Sequence, residues 1–261
     1  MSAAAGLREL AEAVAREAGA QLLEAFAAPA VGVEAKSTPT DLVSAADQAA
    51  EDLIRTRLAA ARPDDGFLGE EGSDEQGSSG LRWVVDPLDG TTNFLFGVPQ
   101  WAVSIAVEDA EGVVAGVVFD PPRGELWAAE RDGRATLDGE PVRASQRAEL
   151  ATALVATGFG YDAEVRRRQA ATLAEILPYV RDVRRIGAAA LDLAWCAAGR
   201  FDAYYERGVK HWDVAAGSLL CERAGLVVEP LAEAPPQGTG ILAAAPALAG
   251  ELRSLIGRST G

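Results

Sequence analysis

A change of hydrophobic period halfway along the chain constrains its fold most. Trp101–Val107 alternates, Val113–Phe119 is rich in valine, and Leu126–Ala129 continues the pattern, with only a few residues between runs. Gaps that short make hairpins and leave no room for a crossover helix. Arg131-Asp132-Gly133-Arg134 adds a turn, and Gly116 reads as a bulge. From Ala153 onward the pattern alternates. Strands are expected at 153–157, 183–186, 201–206, 226–228 and 241–244, and helices at 162–180, 188–198, 212–224 and 246–256. The stretch 229–240, rich in Pro and Gly, reads as a loop. Two amphipathic helices precede the strands. One spans 3–27, with Leu7, Leu10, Val14, Leu22 and Phe26 near one face, and ends at Pro29. The other spans 41–62, with Leu42, Ala46, Ala49, Leu53 and Leu58 as its apolar side and Ser44 and Asp47 as a capping box. Pro63-Asp64-Asp65-Gly66 then turns the chain. A mostly antiparallel half followed by an alternating half predicts a layered α+β or α/β sandwich, with halves 1–150 and 151–261.

Charge narrows the function. The 261 residues carry 24 Lys and Arg against 39 Asp and Glu, a net −15, which argues against a nucleic-acid or anionic-membrane binder. An acidic protein that handles an anionic substrate needs cations, and divalent metals are the natural candidates. No apolar run reaches the ~18 residues of a membrane span. Arg8 and Glu9 fall where a signal peptide needs an apolar stretch, so a cytoplasmic location is expected. Cys196 and Cys221 form no CxxC, and a lone His211, read as structural, excludes a multi-histidine zinc site.

The run Trp83-Val84-Val85-Asp86-Pro87-Leu88-Asp89-Gly90-Thr91-Thr92-Asn93-Phe94 carries the chemistry. An apolar strand delivers Asp86 at its end, Pro87 fixes the exit, and Asp89 follows three residues later. Gly90 lets backbone approach a ligand, and Thr91-Thr92 open a short helical turn whose free N–H groups favour an anion. Carboxylates, a free carbonyl and such amides at one point suit a phosphate held with a hard cation, Mg²⁺ first among them. Asp-Gly alone would be an ordinary turn; the whole run is more specific. Phe67-Leu68-Gly69-Glu70-Glu71-Gly72 reads as a strand ending in two acids, of which only one can face the site. In Trp212-Asp213-Val214-Ala215-Ala216-Gly217, Asp213 opens a small-residue helix, and alone a plain N-cap explains it. Trp195 and Trp212 read as core.

In this order the three pieces resemble the inositol monophosphatase family of Mg²⁺-dependent, lithium-sensitive phosphatases. Lys36-Ser37, Asp41-Leu42-Val43 and Asp47 match the family's early segment, and the resemblance covers essentially the whole chain. It implies the αβαβα sandwich of that family and a homodimer. It implies one Mg²⁺ on Glu70, Asp86 and the Leu88 carbonyl, a second on Asp86, Asp89 and Asp213, and a third, weaker ion near Glu70. Asp47 and Thr91, with Glu70, would serve the attacking water, and the amides around Gly90, Thr91 and Thr92 the phosphate. Asp89, Ala189, Glu206 and Asp213 would meet the hydroxyls of the substrate. Lys36 reads either as a contact to the carboxylates of the metal site or as a surface lysine. Such a site performs two-metal in-line displacement by water, without a covalent intermediate.

The implied reaction is hydrolysis of inositol 1-phosphate or a similar small polyol phosphate. Histidinol phosphate, fructose 1,6-bisphosphate and 3′-phosphoadenosine phosphate are rivals, because the sequence departs near the pocket: Gly72 follows the acid pair, the Glu70–Asp86 connection is short, and Lys210 holds a variable position. An interaction role with the transcription machinery is a reading of a different class.

Overall fold

The computed structural model describes residues 3–27, 33–35 and 42–258, with side chains left aside at 33–35 and 42–44. Lys36, Ser37 and Asp41 therefore lie outside the described residues, as does the side chain of the expected cap Ser44.

Helix α1 (Ala3–Ala27) leads through the paired strands β1 (Val33–Ala35) and β2 (Leu42–Ser44) into α2 (Ala45–Ala61). An eight-stranded sheet follows. It holds β3 (Gly66–Gly69), β4 (Asp74–Glu75), β5 (Arg82–Asp89), β6 (Ala102–Asp109), β7 (Gly112–Asp120), β8 (Glu125–Glu130), β9 (Thr136–Leu137) and β10 (Glu140–Pro141) in the order β10-β9-β8-β7-β6-β5-β3-β4. The short helix α3 (Thr91–Leu95) links β5 to β6. From β5 to β10 successive strands pair antiparallel, as hairpins must, while β3 lies parallel to β5.

The second half alternates: β11 (Leu154–Thr157), α4 (Ala163–Ile176), β12 (Asp182–Arg184), α5 (Ala189–Ala197), β13 (Ala203–Arg207), α6 (His211–Ala224), β14 (Val227–Leu231), β15 (Gly240–Ala244) and α7 (Pro246–Arg258). Its five strands run β12-β11-β13-β15-β14. The β12, β11 and β13 neighbours are parallel; β15 is antiparallel to both its neighbours.

Period two along β5 feeds two cores. Trp83 and Val85 pack into a core with α1 and α2, while Val84 packs into the other with α5 and α6. Helices α5 and α6 lie between the sheets, and α7 packs on β15 and α4. The layers thus run α-β-α-β-α. Small residues let the middle layer close. An ideal Cβ on Gly116 would lie 2.9 Å from Cα of Ala216, and one on Gly217 would lie 2.6 Å from Cβ of Leu193.

Several expectations change. The second helix starts at Ala45, because Leu42–Ser44 pairs with β1. Its buried face is Asp47, Ala50, Glu51, Ile54 and Leu58, one position off the expected stripe at Ala46, Ala49 and Leu53. Gly116 pairs regularly with Ala106 and Ala129, and the irregularity lies between Val107 and Glu108. Gly116 is there to clear Ala216 rather than to form a bulge. The helix expected over 162–180 ends at Ile176, and Leu177–Tyr179, which contains Pro178, tightens to a 3-10 turn. The expected loop 229–240 is shorter, since β14 runs on through Pro230 to Leu231. An edge strand tolerates a proline's missing N–H.

Candidate active site

A cleft of about 370 Å³ opens where the C-terminal end of β5, the N-terminus of α6 and the β13–α6 connection meet. Asp86 and Asp89 both line it. On a regular strand, residues three apart face opposite ways. Here the register slips between the Asp86↔Ser104 and Asp89↔Ala102 pairs, so one extra residue sits in β5 and re-aims the second carboxylate. Pro87, with no N–H to pair, occupies that bulge.

Glu70 arrives by parallel pairing. Gly69 is level with Val85, and the Glu70 N–H continues the ladder to the Val85 carbonyl at 3.2 Å, which sets Glu70 beside Asp86. Asp213 comes from the first turn of α6, where its Oδ2 accepts the Lys210 N–H at 2.6 Å, as an N3 acid does in a capping box. It thus caps and lines the cleft at once. Among the described residues, Glu70, Asp86 and Asp213 bring carboxylate oxygens within 4.8 Å of one another.

Asp89 is placed differently. Its Oδ1 accepts the Ala189 N–H at 3.1 Å and its Oδ2 the Ala190 N–H at 2.6 Å, the first amides of α5. Each oxygen keeps a second lone pair. Asp47, buried on α2, reaches across to Thr91, whose Oγ1 lies 3.1 Å from Asp47 Oδ2 and 3.1 Å from the Leu88 carbonyl.

The turn after Asp89 is fixed residue by residue. Gly90 has φ 94°, and a Cβ there would lie 2.8 Å from the Gln100 carbonyl. Asn93 Nδ2 donates to the Gln100 carbonyl at 2.7 Å and to the Ile186 carbonyl at 2.9 Å, tying α3 to the wall of the cleft. Phe94 anchors α3 in the core, with ring centroids 5.3 Å from Phe26 and 5.2 Å from Trp101. Gly90 and Thr91 line the cleft; Thr92 turns to the rim, its Oγ1 3.3 Å from the Tyr161 hydroxyl.

On the far wall stand Ala189 and Glu206. The Tyr204 hydroxyl donates to Glu206 Oε2 at 2.7 Å, as their shared strand face allows. Phe159, Tyr161, Arg185 and Lys210 border the opening, and Trp212, packed against the core, also lines it. Sequence reading missed Phe159, Tyr161 and Arg185, which sit in loops without a motif. His211 stands outside, 2.7 Å from Glu108 Oε2. Of the acid pair, Glu70 faces the cleft, while the Glu71 backbone is held from behind by Glu51.

So many acids in one buried place resist ionisation together. Burial first, then Glu70, Asp89, Asp213 and Asp47, push the Asp86 carboxyl well above its ordinary value. Burial raises Asp89 to about 7 against the opposing pull of the Ala190 amide. Burial likewise raises Asp213 well above the usual carboxylate range, and it raises Glu206 despite the Tyr204 hydrogen bond. All-oxygen donors, mutual repulsion and a carbonyl at Leu88 are what a hard divalent cation relieves, so the residues present fit Mg²⁺.

The comparisons agree with this geometry. The model of the inositol monophosphatase family matches residues 5–259. The inositol-1-monophosphatase SuhB of Mycobacterium tuberculosis is 44% identical over 98% of this chain and 95% of its own length. A protein of Xylella fastidiosa called Nus factor SuhB is 45% identical over 71% of this chain and 67% of its own. The crystal structure of the suhB protein of Bartonella henselae superposes with a TM-score of 0.89 at 36% identity, over 96% of this chain and 98% of that one. The chain belongs to the inositol monophosphatase family, a family of phosphatases.

Proposed function

We propose that the protein is a Mg²⁺-dependent phosphomonoesterase acting on inositol 1-phosphate or a similar small polyol phosphate. The observation that carries this reading is the meeting of Glu70, Asp86 and Asp213 oxygens within 4.8 Å beside the N-terminus of α3. Glu70, Asp86 and the Leu88 carbonyl would hold one ion, Asp86, Asp89 and Asp213 a second, with a third and weaker one near Glu70. Bound there, Mg²⁺ acidifies water and offsets the charge of phosphate and leaving oxygen.

The chain's own groups have distinct parts. Thr91 has one hydroxyl proton for two acceptors 3.1 Å away. Giving it to Asp47 leaves the Leu88 carbonyl to a cation and the Thr91 oxygen to accept a hydrogen bond from the attacking water. Glu70 takes the proton that the water sheds. The amides of Gly90, Thr91 and Thr92 hold the phosphate at the start of α3. Asp89, Asp213 and Glu206 accept hydroxyls of the polyol beside the Ala189 backbone, with Tyr204 steadying Glu206. Asp213→Asn keeps the size of the side chain and removes its charge. Phosphate release should fall by at least ~100-fold and need more Mg²⁺; an unchanged rate would sink the assignment.

The Xylella relative's name supports a second reading, in which the chain also engages the transcription machinery. A pull-down that finds no specific partner, beside brisk turnover, removes it. The family resemblance supports a homodimer. Phe96, 74% exposed, and Val98, 41% exposed, form an apolar loop after α3 that a second copy would cover. Sedimentation as a monomer at micromolar concentration overturns this.

A further inference from the structure

Glu51 is a buried carboxylate that the chemistry above does not use, only 3% exposed on α2 and one turn beyond Asp47. Its two oxygens are both engaged by one turn. Oε2 accepts the Glu71 N–H at 2.8 Å, and Oε1 accepts the Ser73 hydroxyl at 2.7 Å. Both donors belong to the turn that carries Glu70, which closes on itself through the Gly69 N–H and the Ser73 carbonyl at 2.7 Å. Gly69 leaves room for this grip, since a Cβ there would lie 2.3 Å from Glu51 Oε2. A carboxylate in so dry a place is costly unless its bonds are needed. The bonds it makes fix the backbone immediately after Glu70.

Resting on the proposed metal site, we propose that Glu51 is the positioning residue for Glu70. It holds the 69–73 turn so that the Glu70 carboxylate stays against Asp86 and Asp213. Helix α2 would then serve the site twice, Asp47 toward Thr91 and Glu51 toward Glu70. The role is geometric rather than electrostatic, and the two are separable. Glutamine at 51 keeps one acceptor for the Glu71 N–H, and its amide can donate to the Ser73 oxygen instead of accepting from it. Alanine loses both bonds.

The test is binding of Mn²⁺, followed by its electron paramagnetic resonance signal without substrate, on wild type, Glu51→Gln, Glu51→Ala and Ser73→Ala, with circular dichroism as the folding control. Orienting groups behind metal ligands are worth about 10–100-fold in affinity. Glu51→Ala should weaken binding by at least ~10-fold, Glu51→Gln by less than ~3-fold, and Ser73→Ala, on an accessible turn that tolerates the change, by an intermediate amount. Equal losses in Glu51→Gln and Glu51→Ala would overturn positioning in favour of plain charge. If Glu51→Ala does not fold, wild-type affinity in Ser73→Ala overturns the proposal, and weakened affinity supports it. Absence of Mn²⁺ binding in wild type is a different failure, that of the metal site itself.

Discussion

Thr91 offers the cleanest test at the scale of a residue. Its hydroxyl lies 3.1 Å from Asp47 Oδ2, and its β-carbon shape is matched by valine. Thr91→Val should therefore fold normally and lose at least ~100-fold in turnover at saturating Mg²⁺, the scale of a misplaced attacking water. A loss confined to KM would mean that Thr91 only binds. Much at this scale is legible in the sequence. The Asp86–Phe94 run announces itself because its parts act locally: the proline, the glycine with φ 94° and the short helix need only their neighbours. Glu51 was not legible. It sits on the buried face of a helix whose stripe holds two acids, Asp47 and Glu51, so hydrophobic period assigns that face one position off. Its i,i+4 spacing from Asp47 was the signal available.

Between elements, pairing decides what local pattern cannot. Nothing in the residues around Glu70 states that β3 lies parallel to β5 with Gly69 level with Val85. Parallel registers are set by packing over distance, so the sequence shows an acid at a strand end and not its neighbour. The crossing of α6 on β7 has the same character. Gly116 reads as a bulge in one dimension and is a clearance for Ala216 in three. Gly116→Ala forces α6 outward, and Asp213 rides at the start of α6. The change should cost about 1–3 kcal/mol in urea unfolding, as overpacking does, and lower Mg²⁺ affinity with it. Full stability with wild-type affinity would show that the crossing has slack. Cys196 on α5 and Cys221 on α6 are free and buried, as packing residues are.

For the whole molecule, the layered αβαβα order follows from the hairpin half and the alternating half, and no described helix is long and apolar enough to cross a membrane. Its acidity has a consequence for stability. Asp86, Asp89 and Asp213 are raised by burial, Asp89 to about 7, whereas an unfolded Asp sits near ~3.9. A carboxyl raised on folding binds its proton more tightly in the native state. It favours folding below the unfolded value and withdraws that stability as pH climbs toward the folded one. The Arg-paired acids Asp65 and Asp109 are lowered instead, and their effect falls below pH ~4. The metal-free protein should thus lose Tm between pH ~5 and ~8, and Mg²⁺ should restore more of it at the upper end. A flat Tm across that range would contradict the crowding of carboxylates. The most direct measurement of the central claim is phosphate release from inositol 1-phosphate with Mg²⁺, with EDTA, and with Mg²⁺ plus millimolar Li⁺. Release should require Mg²⁺ and fall with Li⁺; release that persists undiminished in EDTA would contradict a metal-dependent site.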